Sequence, residues 1–90
     1  MIENRCYPSQ FKKDYKRVKA QGKDIQTLIK IMDRLQNEET LEPVYRDHAL
    51  KKNWKGFREC HLSPDWLLVY TVEGDTILFA RTGTHSDIFE

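Results

Sequence analysis

Trp66-Leu67-Leu68-Val69-Tyr70-Thr71-Val72 is the stretch on which the fold turns. It is almost continuously apolar and rich in aromatic and β-branched side chains, the pattern of a strand buried on both faces. Ser63-Pro64-Asp65 bounds it on one side and Gly74-Asp75 on the other, both good turn sequences. Beyond the turns lie two more β-prone runs, 57–62 and 76–82. Three runs joined by two short turns predict an antiparallel meander with 66–72 at its centre. Alternation puts Phe57, Glu59 and His61 on one face of the first run, and Arg58, Cys60 and Leu62 on the other. In the last run Ile77, Phe79 and Arg81 share a face, as do Leu78, Ala80 and Thr82. After Gly83 the tail Ser86-Asp87-Ile88-Phe89 is one helical turn at most.

Working outward, Ile2 to Tyr7 reads as a first strand ended by Pro8. Ser9 then offers an N-cap, and Phe11, Tyr15 and Val18 recur at i, i+4 and i+7 on a helix that Gly22 stops. Lys12, Lys13, Lys16, Arg17 and Lys19 fill the opposite side, interrupted only by Asp14. Such a stripe is either a solvated face or a contact for a phosphate backbone. Asp24 is a second N-cap candidate, followed by an amphipathic stripe of Ile25, Leu28, Ile29, Met32 and Leu35. Gly22-Lys23 leaves room only for an antiparallel helical hairpin. Residues 38–53 show no period, and Pro43 with Arg46-Asp47-His48 argues against a regular element there. Leu41, Val44, Tyr45 and Leu50 are apolar enough to pin this connection to the body. The expected fold is α+β, in the order β-α-α-β-β-β, with the hairpin packed on a small, mainly antiparallel sheet. Residues 1–90 should form one domain.

With 39% hydrophobic and 32% charged residues, the chain is composed like a compact soluble domain rather than a disordered one. No apolar run approaches the roughly 20 residues of a membrane span, and the first residues lack the apolar core of a signal peptide. Cys6 and Cys60 form no CxxC and are expected as free thiols in a reducing cytoplasm. The net charge of +1 conceals a split: residues 1–36 hold nine Lys/Arg against four Asp/Glu, and residues 37–90 hold six against ten. One surface therefore suits a polyanion, and another suits a basic partner.

Three histidines, His48, His61 and His85, all stand in or beside loops, and Asp65 sits in the turn after His61. Asp65 also makes sense as plain turn chemistry. Arg81 is the one charge in an apolar strand, either pairing with a carboxylate or presenting its fork to an anion. Histidines, a carboxylate and an arginine suit metal-independent cleavage of RNA. The 2′-OH attacks, and the protein needs a base, an acid and a charge on the phosphate. On that reading Arg81 meets the phosphate and closes no core pair. His85, just past the strand carrying Arg81, is the candidate acid for the leaving 5′-oxygen. Phe89 can stack a splayed base or simply pin the tail. A zinc site of His48, His61 and His85 is the alternative, but no HxH, HExxH or CxxC spacing supports it. No cofactor is expected.

Four separated motifs carry a resemblance. They are Tyr45-Arg46-Asp47-His48-Ala49-Leu50, Trp54-Lys55-Gly56-Phe57-Arg58-Glu59-Cys60-His61, Pro64-Asp65-Trp66-Leu67-Leu68-Val69-Tyr70 and Arg81-Thr82-Gly83-Thr84-His85-Ser86. Together they resemble the YafQ-type toxins of the RelE superfamily. The resemblance implies a cytoplasmic bacterial type II toxin, an endoribonuclease that cuts mRNA in the A site of the 70S ribosome. It implies a cognate antitoxin partner and operator DNA bound only through the toxin–antitoxin complex. Carried over by motif, His48, His61, Asp65 and His85 are the catalytic positions, Arg81 meets the phosphate, and Trp66 and Phe89 line the message path. The basic stripe (Lys12, Lys13, Lys16 and Arg17), with Lys51, Lys52 and Lys55, is where 16S rRNA contact is expected. The rival readings are a non-enzymatic inhibitor on the same scaffold, like the gyrase-binding ParE-type toxins, and a small RNA-binding module.

Overall fold

The computed structural model describes residues 1–89; Glu90, the last residue of the expected domain, lies outside the described residues. Five strands form one sheet in the order β1-β5-β4-β3-β2. They are β1 (Asn4–Cys6), β2 (His48–Ala49), β3 (Arg58–Ser63), β4 (Trp66–Glu73) and β5 (Thr76–Gly83). The helices are α1 (Ser9–Ala20), α2 (Ile25–Gln36) and α3 (His85–Phe89). The meander β3-β4-β5 is antiparallel with β4 central, as the apolar run predicts. β1 adds parallel to β5, pairing Asn4 with Thr76.

β4 is buried on both sides over its first five residues, because each face there has its own core; past them Thr71 is half-buried and Val72 exposed, so the run is not buried through to 72 as expected. Trp66, Leu68 and Tyr70 join Cys60, Ile77 and Phe79 beneath α1 and α2, against Phe11, Val18, Leu28, Ile31, Met32 and Leu35. Leu67 and Val69 point the other way and pack with Ala80 and Ile88, flanked by Leu50, Trp54 and Phe57. The alternation of the sequence is thus read directly into two layers of packing.

Several local expectations are corrected. Ser9 is the first helical residue rather than the cap; Pro8 takes the cap position and makes no side-chain bond there. Asp24 does cap α2, accepting from the N–H groups of Gln26 and Thr27. The connection expected to be irregular contains β2 and two 3₁₀ turns, Pro43–Tyr45 and Lys52–Trp54. Pro43 opens the first turn, where its missing N–H costs nothing. Leu41 pins the connection, but Val44 is exposed and does not.

Two bulges break the alternation of the meander. Leu62 is an extra residue between the pairs His61–Leu67 and Ser63–Trp66. Ala80 is another, between Phe79–Tyr70 and Arg81–Val69. Arg81 therefore stands with Val69 on the face away from the hairpin, not with Ile77 and Phe79 as simple alternation predicts.

Candidate active site

On the face away from α1 and α2, two strand ends, one turn and the short helix converge. β2 pairs with β3 so that His48 lies directly across from Glu59, and His61 follows two residues along the same face. The residue before His48 is held firmly: Asp47 accepts from the Tyr70 hydroxyl at 2.7 Å and from Arg58 Nε at 3.1 Å.

His85 arrives from the other side. Gly83 adopts φ +148°, a conformation that favours glycine, and an added Cβ would run into Arg17 Nη2 and the Asp87 side chain. Thr84 then caps α3. Its hydroxyl accepts from the Asp87 N–H at 3.1 Å, while its own N–H donates to the Asp87 carboxylate at 3.0 Å. That backbone bond holds the Asp87 carboxyl below the usual range. His85 is the first helical residue after this cap.

The result is a row of rings. His48 and His61 have centroids 6.3 Å apart, His61 and His85 6.0 Å, His85 and Phe89 5.9 Å. Asp65, in the β3–β4 turn, reaches His85 Nδ1 at 3.7 Å. Phe89 also packs edge-on against Trp54 at 5.6 Å. All four expected polar residues are thus brought together, with Phe89 at the end of the row.

Others are not. Trp66 is buried on the helix side and donates from Nε1 to Thr82 Oγ1 at 2.9 Å. The expectation that it lines a message path is corrected: its position in β4 turns the indole into the main core. Arg17 also leaves the basic stripe, because it is drawn into contact with Asp14 at 2.9 Å. Lys12, Lys13, Lys16, Lys51, Lys52 and Lys55 remain exposed.

Arg81 closes a core pair after all. Asp14 is fully buried, and Arg81 Nε donates to it at 2.7 Å, with Arg81 Nη2 at 3.3 Å. Nη2 also donates to the Asp87 carbonyl at 3.1 Å. The reason lies at the edge of β5. β1 pairs with β5 only at residues 76–78, and farther along α1 supplies side chains in place of a strand. Asp14 accepts from the Thr82 N–H at 3.2 Å, and Arg17 Nη2 donates to the Thr82 carbonyl at 2.8 Å. Burial pushes the Asp14 carboxyl up, but hydrogen bonds from Arg81, Gln10, the Thr82 N–H and Arg17 outweigh it and hold the group below the usual carboxylate range.

One residue at the centre carries no expected role. Glu59 is buried, with Oε2 3.0 Å from His48 Nε2 and 3.9 Å from His61 Nε2. Its signal in the sequence is slight: a carboxylate between Phe57 and His61 on the same face. Among the described residues, no three His, Cys, Asp or Glu side chains are arranged to hold a metal ion.

A family model described as the bacterial toxin of type II toxin–antitoxin system, YafQ, matches residues 4–90. The mRNA interferase toxin YafQ of Escherichia coli (strain B / BL21-DE3) is 42% identical over 84 residues, 92% of this chain and 91% of that protein. The toxin fold seen in the crystal structure of the E. coli DinJ–YafQ complex is similar at a TM-score of 0.89 and 39% identity, covering 98% of this chain and 99% of the other. A metal-bound toxin from Helicobacter pylori is similar at a TM-score of 0.91 and 41% identity, covering 99% of this chain and all of the other.

Proposed function

This chain belongs to the YafQ toxins of type II toxin–antitoxin systems, and from that premise we propose that it halts translation as an endoribonuclease cutting mRNA in the A site of the 70S ribosome. Residues 1–90 act as one toxin domain in the cytoplasm. The observation that carries the reading is the row His48, His61, His85 and Phe89, with Asp65 against His85, all on one open face.

Cleavage uses the 2′-OH as nucleophile, so the protein has to move two protons and offset charge on the phosphate. His85 and Asp65 stand at the exposed end of the row, where the acid for the leaving 5′-oxygen is needed. His48 and His61 supply the base and its orientation. Nε and Nη2 of Arg81 are engaged with Asp14 and the Asp87 carbonyl, which leaves Nη1 for the phosphate. Phe89, braced by Trp54, offers a face on which a base can stack.

Lys12, Lys13 and Lys16 on α1, with Lys51, Lys52 and Lys55 around the second 3₁₀ turn, dock on 16S rRNA. A cognate antitoxin silences the toxin, and operator DNA is met only within their complex. The DinJ–YafQ relative supports the antitoxin assignment.

The test is single-turnover cleavage on programmed ribosomes, using normal mRNA and mRNA with a 5′-phosphorothiolate at the cut site. A sulfur leaving group needs little protonation. His85→Ala should slow the normal substrate severely and cut the sulfur one nearly as wild type does. Equal slowing on both would remove His85 from the acid role. The metal-bound relative favours a further arm, in which EDTA and added zinc are applied to intact ribosomes. Activity lost to EDTA and restored by zinc alone would replace this mechanism with a metal-dependent one.

A further inference from the structure

A cavity of about 370 Å³ opens beside His61, outside the row of rings. One wall is the first 3₁₀ turn and the residue after it, with Val44, Tyr45 and Arg46; the other is formed by residues 61–64 at the end of β3. Leu62, the inserted residue of the first bulge, stands in that second wall, so the cavity lies where β3 leaves regular pairing. Its volume falls in the roughly 300–1,000 Å³ range of small-molecule sites. The lining is of the kind such sites use, largely apolar with a few polar groups at the edge.

Arg46 sets this cavity apart from an ordinary surface hollow. Five of the six arginines are tied to carboxylates: Arg5, Arg17, Arg34, Arg58 and Arg81. Arg46 is exposed, and its guanidinium makes no hydrogen bond or ion pair among the described residues. Its backbone is left-handed, at φ +50° and ψ +42°, a conformation that is costly for a residue with a side chain. The chain reverses there. The Arg46 N–H donates to the Pro43 carbonyl at 3.0 Å, and the Arg46 carbonyl accepts from His48 Nδ1 at 2.6 Å. One wall of the cavity is thereby tied to a member of the row. An uncommitted guanidinium at the rim of a half-apolar hollow suits a phosphate outside and a base within.

The order of the row decides which nucleotide this is. His85 serves the leaving 5′-oxygen, while His48 and His61 serve the attacking 2′-OH. The nucleotide 3′ of the cut therefore lies toward His85 and Phe89, and the nucleotide 5′ of the cut lies toward His61. We propose that the cavity is a base subsite: it takes the base of the nucleotide 5′ of the cut against the ring of Tyr45, with Arg46 on the phosphate preceding that nucleotide. This rests on the reading of the chain as a ribonuclease with His85 as the acid. One base goes to the cavity and the next to Phe89, and the ribose and phosphate between them are drawn across the histidines.

The test measures cleavage at subsaturating toxin on ribosomes programmed with synthetic messages. One message carries an abasic ribose, its 2′-OH intact, 5′ of the cut; a second carries the abasic ribose 3′ of the cut. A third has a neutral methylphosphonate at the preceding phosphate. The 5′ abasic site should slow wild type by roughly 5–150-fold, the scale of one base–aromatic stack. Tyr45→Ala should slow the normal message as much and be indifferent to the 5′ abasic site, while the 3′ abasic site slows both proteins alike. Asparagine accepts a left-handed backbone, so Arg46→Asn keeps the fold. It should lose about tenfold, the low end for a hydrogen bond to a charged group, and be indifferent to the methylphosphonate that slows wild type. Both variants cutting the normal message at the wild-type rate would overturn the proposal. Slowed variants that stay as sensitive as wild type to the altered messages would also overturn it, assigning the cavity to some other contact. Indifference of Tyr45→Ala to the 3′ abasic site instead would overturn the choice of nucleotide. Tyr45 is half-buried, so if its truncation unfolds the protein the Arg46 arm decides alone. A wild-type toxin that fails to cut even the normal message would instead remove the ribonuclease reading.

Discussion

Asp14→Asn tests the clasp between α1 and β5 most directly. The substitution keeps the shape of the side chain but exchanges one carboxylate oxygen for an amide nitrogen that can only donate. Two arginines and the Thr82 N–H, donors at 2.7–3.2 Å, would then meet an uncharged and partly repulsive partner. Breaking a buried pair by removing one charge costs about 3–5 kcal/mol. Arg81 and Arg17 keep 19% and 32% of their side-chain exposure, so water compensates them in part and the low end, about 3 kcal/mol, applies. For a domain of this size each kcal/mol moves Tm by about 4–8 °C, giving a fall of roughly 12–24 °C. Urea titration followed by tryptophan fluorescence measures the loss at pH 7. The sign with pH follows from the depressed Asp14 carboxyl. Its contribution is full above the unfolded value of about 4 and is lost as pH falls through the lower folded value. The gap between wild type and variant should therefore narrow as the medium is acidified from pH 5 toward pH 2. A loss below about 1 kcal/mol at pH 7, the scale of one ordinary hydrogen bond, would refute the reasoning. So would a gap that does not respond to acid.

Trp66→Phe removes the bond to Thr82 and should cost about 1–3 kcal/mol in urea, with cleavage per folded molecule unchanged; a large loss of cleavage would return Trp66 to the message path. Gly83→Ala should cost about 1–3 kcal/mol and reduce cleavage beyond the unfolded fraction, because it displaces the helix carrying His85; wild-type activity would show that α3 tolerates the shift. Burial, with Asp47 and Glu59 nearby, pushes the Cys60 thiol up to about 12, so at pH 8 a thiol reagent should label exposed Cys6 quickly and Cys60 only after denaturation. Two fast thiols in the native protein would contradict that packing.

The elements legible in the sequence are those with a clear period. The apolar run 66–72 and the stripe of α2 each repeat long enough to declare their strand or helix. What escaped was set by single residues. One inserted residue, Ala80, turned Arg81 to the opposite face, and no pattern in 76–82 announces the bulge. β2 has two residues, too few for any period, yet it brings His48 opposite Glu59. A strand buried on both sides gives no hint of which face is which, so the direction of Trp66 was open. Asp14 was readable and misread. It falls at i+3 from Phe11, within the stripe that continues through Tyr15 and Val18, so a charge there announces a buried partner rather than a gap in the basic face. The convergence of His48, His61, Asp65 and His85 was legible for a different reason: all four stand in or beside loops at strand ends, which a small meander brings to one face.

The clasp at Thr82 also orders events in time. Asp14 and Arg81 are 67 positions apart in the chain, whereas β3, β4 and β5 meet through turns of two residues. The meander is therefore the low-entropy nucleus, and the docking of α1 on β5 closes a long loop late. Interactions made after the transition state govern how fast a protein comes apart rather than how fast it assembles. Weakening the clasp should then hasten unfolding, with the refolding limb of the chevron nearly unmoved, and native-state exchange should find α1 opening while β4 stays protected.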